Sequence, residues 1–278
     1  GAAMVDAFAS ISAVDLKVQD DLTVTDDASV GGDLAVTGAL DVDGATTTDG
    51  ITNAGNFVTD GGTIKLDGNY PTGTGNVALG DTALDSIQSG GNYNVAIGRN
   101  SLTATTTGDN NTGIGNATLT TNSTGGNNTA VGGNALESAT TADNNTAVGY
   151  AALNLNTTGA SNTALGYYAL LDNTTGGANV ALGYQALGNN TPASNNVAIG
   201  VNALEANTTG TDLVGIGRGA LSANTTSNNN TAVGSQALTA NTTGTNNAAL
   251  GKSSLPANTT GSQNTALGTA ALENATTA

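Results

Sequence analysis

Between Asn76 and Leu272 the chain sets an aliphatic residue, a glycine and, four residues later, a leucine at a fixed interval, twelve times over. The glycine falls at Gly80, at Gly98 and then at every seventeenth residue through Gly268, after a single first step of 18. The residue before it is always Val, Ile or Leu, and the residue four after it is always Leu, from Leu84 to Leu272. In a chain that is 37% hydrophobic, twelve apolar hits at one phase have a chance of about one in 10⁵. A period of this length, held this strictly, is the sequence mark of a solenoid.

Inside one unit the apolar signal alternates. Val180 and Leu182 face one way and Ala181 the other; Val197, Ala198 and Ile199 repeat the arrangement. Period-two alternation over a short run that ends in glycine reads as a strand followed by a bend. A second short strand is expected around Ala186–Leu187. A turn of the type Asn-Thr-Thr-Gly follows, as at Asn156 to Gly159 and Asn173 to Gly176, where Asn and Gly tolerate positive φ. Two strands and two turns fit 17 residues, whereas paired helices do not. Coils stacked at about 4.8 Å would make a rod roughly 55 to 60 Å long.

Upstream the rhythm changes to six residues, in units such as DLTVTD and DLAVTG, with Leu16/Val18, Leu22/Val24, Leu34/Val36, Leu40/Val42 and Ile64/Leu66 at the same two positions. Hexads of this kind suit a narrow β-helical stem. Each chain offers so little core that three chains wound together are the expected solution. The predicted organisation is all-β: a lead-in at 1–14, a hexad stem at 15–68 and a twelve-coil parallel β-roll at 69–278, assembled as a homotrimeric fibre.

Composition alone would point elsewhere. Forty glycines, 9% charged residues and 3% aromatics suit a disordered chain that buries too little apolar surface to offset its ordering entropy. A solenoid escapes that limit, because each coil is covered by the next.

The unit NTAVGYAAL at Asn145 to Leu153, and NVAIGVNAL at Asn196 to Leu204, resemble the head repeats of trimeric autotransporter adhesins of the YadA type, with their N-S-V-A-I-G-x-x-S signature. They also resemble the repeats of bacteriophage tail fibres, where hexads like DLTVTD precede them. Together the resemblances cover Asp15 to Ala278. The adhesin family implies a left-handed parallel β-roll in a homotrimer that projects from a cell and binds surfaces. The 17-residue period is longer than the adhesin repeat, and neck, coiled-coil stalk and membrane anchor are not recognisable, which favours the phage fibre. The chain stops at Ala278, mid-coil, so a longer parent protein is expected.

Charge and residue inventory narrow the chemistry. The net charge of −16 opposes binding to nucleic acid or membrane phosphates, and no stretch approaches a membrane span. Residues 1–68 hold 12 Asp and 2 Lys, net −10, leaving net −6 for the remainder. A solvated stem surface accounts for most of this; calcium on Asp41 and Asp43 is a lesser alternative, without an EF-hand loop to complete it. With no His and no Cys, the usual general base, imidazole or thiolate ligands and nucleophilic triads are missing. No metal site and no cofactor are expected. Gly251-Lys252-Ser253 hints at a phosphate loop, but Asn246 stands where that motif needs glycine. Scattered carboxylates do not form the pair that a glycan depolymerase would use. The expectation is a protein without enzymatic activity.

Three repeated columns could form surfaces. Asn four before the glycine recurs in eleven of twelve coils, replaced only by Leu213, and reads as a structural ladder. A Thr pair eight and nine after the glycine resembles the regular threonines of ice-binding solenoids, but its Asn and Gly neighbours suggest a curved turn. Tyr150, Tyr167 and Tyr184 follow the glycine in three consecutive coils, beside Tyr168. They are the candidate ligand site, a platform for sugar rings. The functional expectation is an extracellular fibre for reach and host-surface attachment, on a virion or, alternatively, on a bacterial cell as an adhesin head.

Overall fold

A computed structural model describes residues 73–277. The expected lead-in and hexad stem, with Asp41 and Asp43, lie outside the described residues. Twelve strands of three residues each run from β1 (Val77–Leu79) through β6 (Thr163–Leu165) and β7 (Val180–Leu182) to β12 (Thr265–Leu267). They form one parallel sheet in strictly sequential order. Each strand pairs with the next in unshifted register, Ala164 with Ala181 and Leu165 with Leu182. The architecture is a parallel β-solenoid with 17-residue spacing, and no helix occurs among the described residues.

The alternation within a strand is as the sequence implies, and the structure decides which face is inside. Ala164, Ala181 and Ala198 are fully buried. The bulkier Thr163, Leu165, Val180 and Leu182 point outward, half-buried or exposed. A 17-residue coil has a narrow interior. Alanine fits it at this point because the invariant leucines occupy the rest: Leu170, Leu187 and Leu204 are all fully buried in the same core.

The second strand expected around Ala186–Leu187 does not form, and the reason is backbone geometry. Each of the twelve repeat leucines has φ between 50° and 54°, a left-handed conformation that interrupts a strand. The segment still bonds to the next coil, with the Leu187 amide donating to the Ala203 carbonyl over 3.0 Å. Placing an L-residue in this region costs about 1–2 kcal/mol, and burying a leucine returns about 1.5–3 kcal/mol. β-branched residues are genuine outliers at positive φ, so leucine, branched one carbon further out, holds this position in all twelve coils.

The Asn-Thr-Thr-Gly turn also differs from expectation. Its Asn and Gly are not at positive φ; Asn156 and Gly159 are instead fully buried and buried, respectively. The left-handed residues lie two after the repeat glycine, at the leucine, and five before the glycine, as at Gln185, Leu187 and Asn195. The repeat glycine is required twice over. At Gly166 φ is 141°, and a Cβ there would lie 2.5 Å from the Gly183 carbonyl oxygen.

Candidate functional site

Two columns of asparagine run through the interior, and both are structural. In the first, four before the glycine, Asn179 donates its amide N–H to the Asn162 side-chain oxygen at 3.0 Å, and its own Nδ2 to the Ala193 carbonyl at 2.9 Å. Asn196 repeats the step on Asn179 at 3.0 Å. Leu213 donates its backbone N–H to Asn196 Oδ1 at 3.0 Å in the same way but has no side-chain oxygen to accept from the next coil. The reading of this column as a ladder holds. The second column, which sequence reasoning took for part of a turn, is the Asn of the Asn-Thr-Thr-Gly segment. Asn173 Nδ2 donates to Asn156 Oδ1 at 2.9 Å, Asn190 to Asn173 at 2.8 Å and Asn207 to Asn190 at 3.0 Å. Its buried acceptors without a partner are Asn122 Oδ1 and Asn258 Oδ1. Each stands where the next coil carries alanine, Ala139 or Ala275, in place of the donating amide.

The first threonine of the Thr pair is engaged in the same way. Thr157 Oγ1 donates to the Thr174 carbonyl at 3.0 Å, and Thr208 Oγ1 to the Thr225 carbonyl at 3.1 Å. Only the second threonine, as at Thr158 and Thr209, is exposed. The pair lies in a bend, outside the sheet, which removes the flat double row that the ice-binding alternative would use.

The outer face of the sheet holds the surface that sequence reasoning did not assign. The aliphatic residue before each glycine stacks in register from coil to coil. Leu79, Ile97, Ile114, Leu165, Ile199, Leu250 and Leu267 are each between 36% and 74% exposed. The parallel outward position, two residues earlier, is Val, Thr or Ala in every strand, so neither position carries a charge anywhere along the sheet. Near one end, Val233, Leu250 and Leu267 border an apolar groove of about 290 Å³. An exposed apolar stripe of this kind is the candidate interaction surface. The available signal was the mixture of Val, Ile and Leu before the glycine, in contrast to the invariant leucine four after it.

Tyr150, Tyr167 and Tyr184 are brought together as their spacing implies. Ring centroids are 5.4 Å apart between Tyr150 and Tyr167 and 5.6 Å between Tyr167 and Tyr184, with interplanar angles of 18° and 6°. All three are close to half exposed. Tyr168 leans against Tyr167, centroids 4.0 Å apart at 44°. The rings cover one another's faces, so the column offers edges and hydroxyls to the outside. The Tyr167 phenol is pushed up to about 12, first by its hydrogen bond with the Tyr168 side chain, then by partial desolvation and by the charges that Tyr168, Tyr150 and Tyr184 would carry.

A raised phenol pKa favours the neutral form in the folded protein. Its contribution to stability is complete below the unfolded value near 10 and is lost as pH rises through about 12. Absorbance titration of the native protein should therefore show a tyrosine still protonated at pH 11, absent once the chain is unfolded in guanidinium. A native curve that superposes on the unfolded one would mean that Tyr167 and Tyr168 are not in contact.

Among the described residues no group of three or more His, Cys, Asp or Glu could hold a metal ion, and no helix is long and apolar enough to cross a membrane. Comparison with protein-family models, curated proteins and solved structures returned no match.

Proposed function

We propose that this chain is a rod segment of an extracellular attachment fibre, a homotrimer on a virion surface that supplies reach and contact with a host cell. The observation that carries the reading is the uncharged aliphatic stripe along the outer face of the sheet. Burying one Leu or Ile side chain contributes about 1.5–3 kcal/mol, and the stripe repeats that opportunity in every coil. Its partner must match the same axial step over twelve strands or lose register. A second and third copy of this chain have that step by construction, and closed cyclic symmetry is the usual way to use it. Three is the number that the resemblance to tail fibres and trimeric adhesins implies.

A bacterial adhesin head would use the same assembly and is distinguished by its genomic neighbours rather than by its fold. Light scattering or native mass spectrometry should give about three times 26.8 kDa. A folded protein of monomeric mass would remove the basis for the fibre.

A further inference from the structure

Gly219 differs from the repeat glycine of its own coil, Gly217. It sits two after the repeat glycine, at φ 66°, a left-handed position that the neighbouring coils fill with Asn202 and Gln236 at φ 57° and 59°. A Cβ at Gly219 would meet nothing closer than Gln236 Cγ and Ser222 Oγ, both at 4.0 Å. At Gly217, by contrast, a Cβ would lie 2.6 Å from the Gly234 carbonyl. Packing therefore does not demand glycine at 219, and left-handed geometry is met elsewhere in the column by residues with side chains.

The missing side chain opens a notch of about 330 Å³, large enough for a small ligand. Val201, 46% exposed, forms an apolar part of its wall. Arg218 and Glu205 bring opposite charges to it. Arg218 has no ion-pair partner among the described residues, while Glu205 accepts a hydrogen bond from Asn202 Nδ2. Ser222 and Thr239 pair their hydroxyls at 3.1 Å and complete a wall of neutral hydrogen-bonding groups with Gln236. These residues occupy columns one, two and five after the repeat glycine, separate from the outward strand positions.

We propose that this notch is a carbohydrate subsite for one sugar residue carrying a carboxylate, a hexuronic acid within a surface polysaccharide. The inference rests on the attachment reading and names the chemistry it would recognise. A planar guanidinium matches a carboxylate with two parallel donors. The Glu205 carboxylate and the Gln236 amide suit adjacent sugar hydroxyls, which both donate and accept. Val201 suits the C–H face of the ring. In the column one after the glycine, Val201 and Arg218 continue the line of Tyr150, Tyr167 and Tyr184, so a linear glycan lying along the rod would pass from the notch to the tyrosine edges.

The test is saturation-transfer NMR and calorimetry with trigalacturonate as probe and maltotriose as the neutral control, on native protein, Gly219→Gln and Arg218→Gln. Native protein should bind trigalacturonate at least tenfold more tightly than maltotriose. Arg218→Gln should lose that preference. Gly219→Gln, which restores the side chain that the adjacent coils carry, should bind neither while keeping native mass and a melting temperature within a few degrees. Native protein that does not bind trigalacturonate, or a filled notch that binds it undiminished, overturns the subsite. The mass measured on the same samples keeps the two readings apart: failure of the subsite at trimeric mass leaves the fibre standing, and monomeric mass removes the fibre whatever the glycan does.

Discussion

Leu187→Asp should destabilise the roll by about 4 kcal/mol or more, or prevent the surrounding coils from forming. The side chain is fully buried between coils. Replacing it removes the transfer and packing energy of a core leucine, about 2–5 kcal/mol, and puts a carboxylate where no cation can reach it. Part of this cost is recovered by protonating the new aspartate, so the loss should be larger at pH 8 than at pH 4. Thr208→Ala is the matched control. It deletes one hydrogen bond of 3.1 Å to the next coil and should cost about 0.5–1 kcal/mol. Denaturant unfolding followed by circular dichroism compares the two. Similar small losses would show that the repeat leucines do not build the core. A solenoid transmits such damage mainly to adjacent coils, so a lower transition slope is expected along with the lower midpoint.

The second large effect concerns assembly. Leu165→Glu combined with Ile199→Glu should leave a folded chain of about 26.8 kDa in place of the proposed trimer. Both residues point outward, 47% and 37% exposed, and their carboxylates can remain hydrated in a single chain. One coil, that of Leu182, lies between them, which avoids the destabilising contact of like charges on neighbouring strands. If the proposed trimer packs on this stripe, the same substitutions bring six carboxylates to its contact, at a cost of several kcal/mol for each one desolvated without a counter-charge. Light scattering beside circular dichroism makes the comparison. A double variant that keeps the trimeric mass would place the contact between copies on another face of the roll.

Much of the fold was legible because its constraints repeat. A glycine whose Cβ, if it had one, would lie 2.5 Å from the next glycine's carbonyl oxygen, as at Gly166, and a leucine that must fill each coil leave a mark at every period. Twelve copies of a mark are easily read. The small residue at the centre of each strand, the asparagine before it and the stacking of Tyr150, Tyr167 and Tyr184 follow from that period and from the pleat of a strand. The expected second strand was wrong for a local reason: alternation at Ala186–Leu187 resembles a strand, while Leu187 in fact has φ 52°, and nothing in the composition of the unit reports the sign of a dihedral angle.

The sequence by itself determined the period, the parallel stacking, the scarcity of catalytic side chains and the position of the core leucine. Only the tertiary structure decided which side of each strand is inside. Alternation distinguishes two faces but does not say which one the narrow coil can hold. Val180 and Leu182 carry the stronger apolar signal, yet Ala181 is the residue that the interior holds, fully buried. The larger pair is turned outward into a half-exposed aliphatic stripe. Leucine is invariant in one column and exchanges with Val and Ile in the other because the first column is buried and held at positive φ, which disfavours β-branched residues, and the second is extended, which favours them.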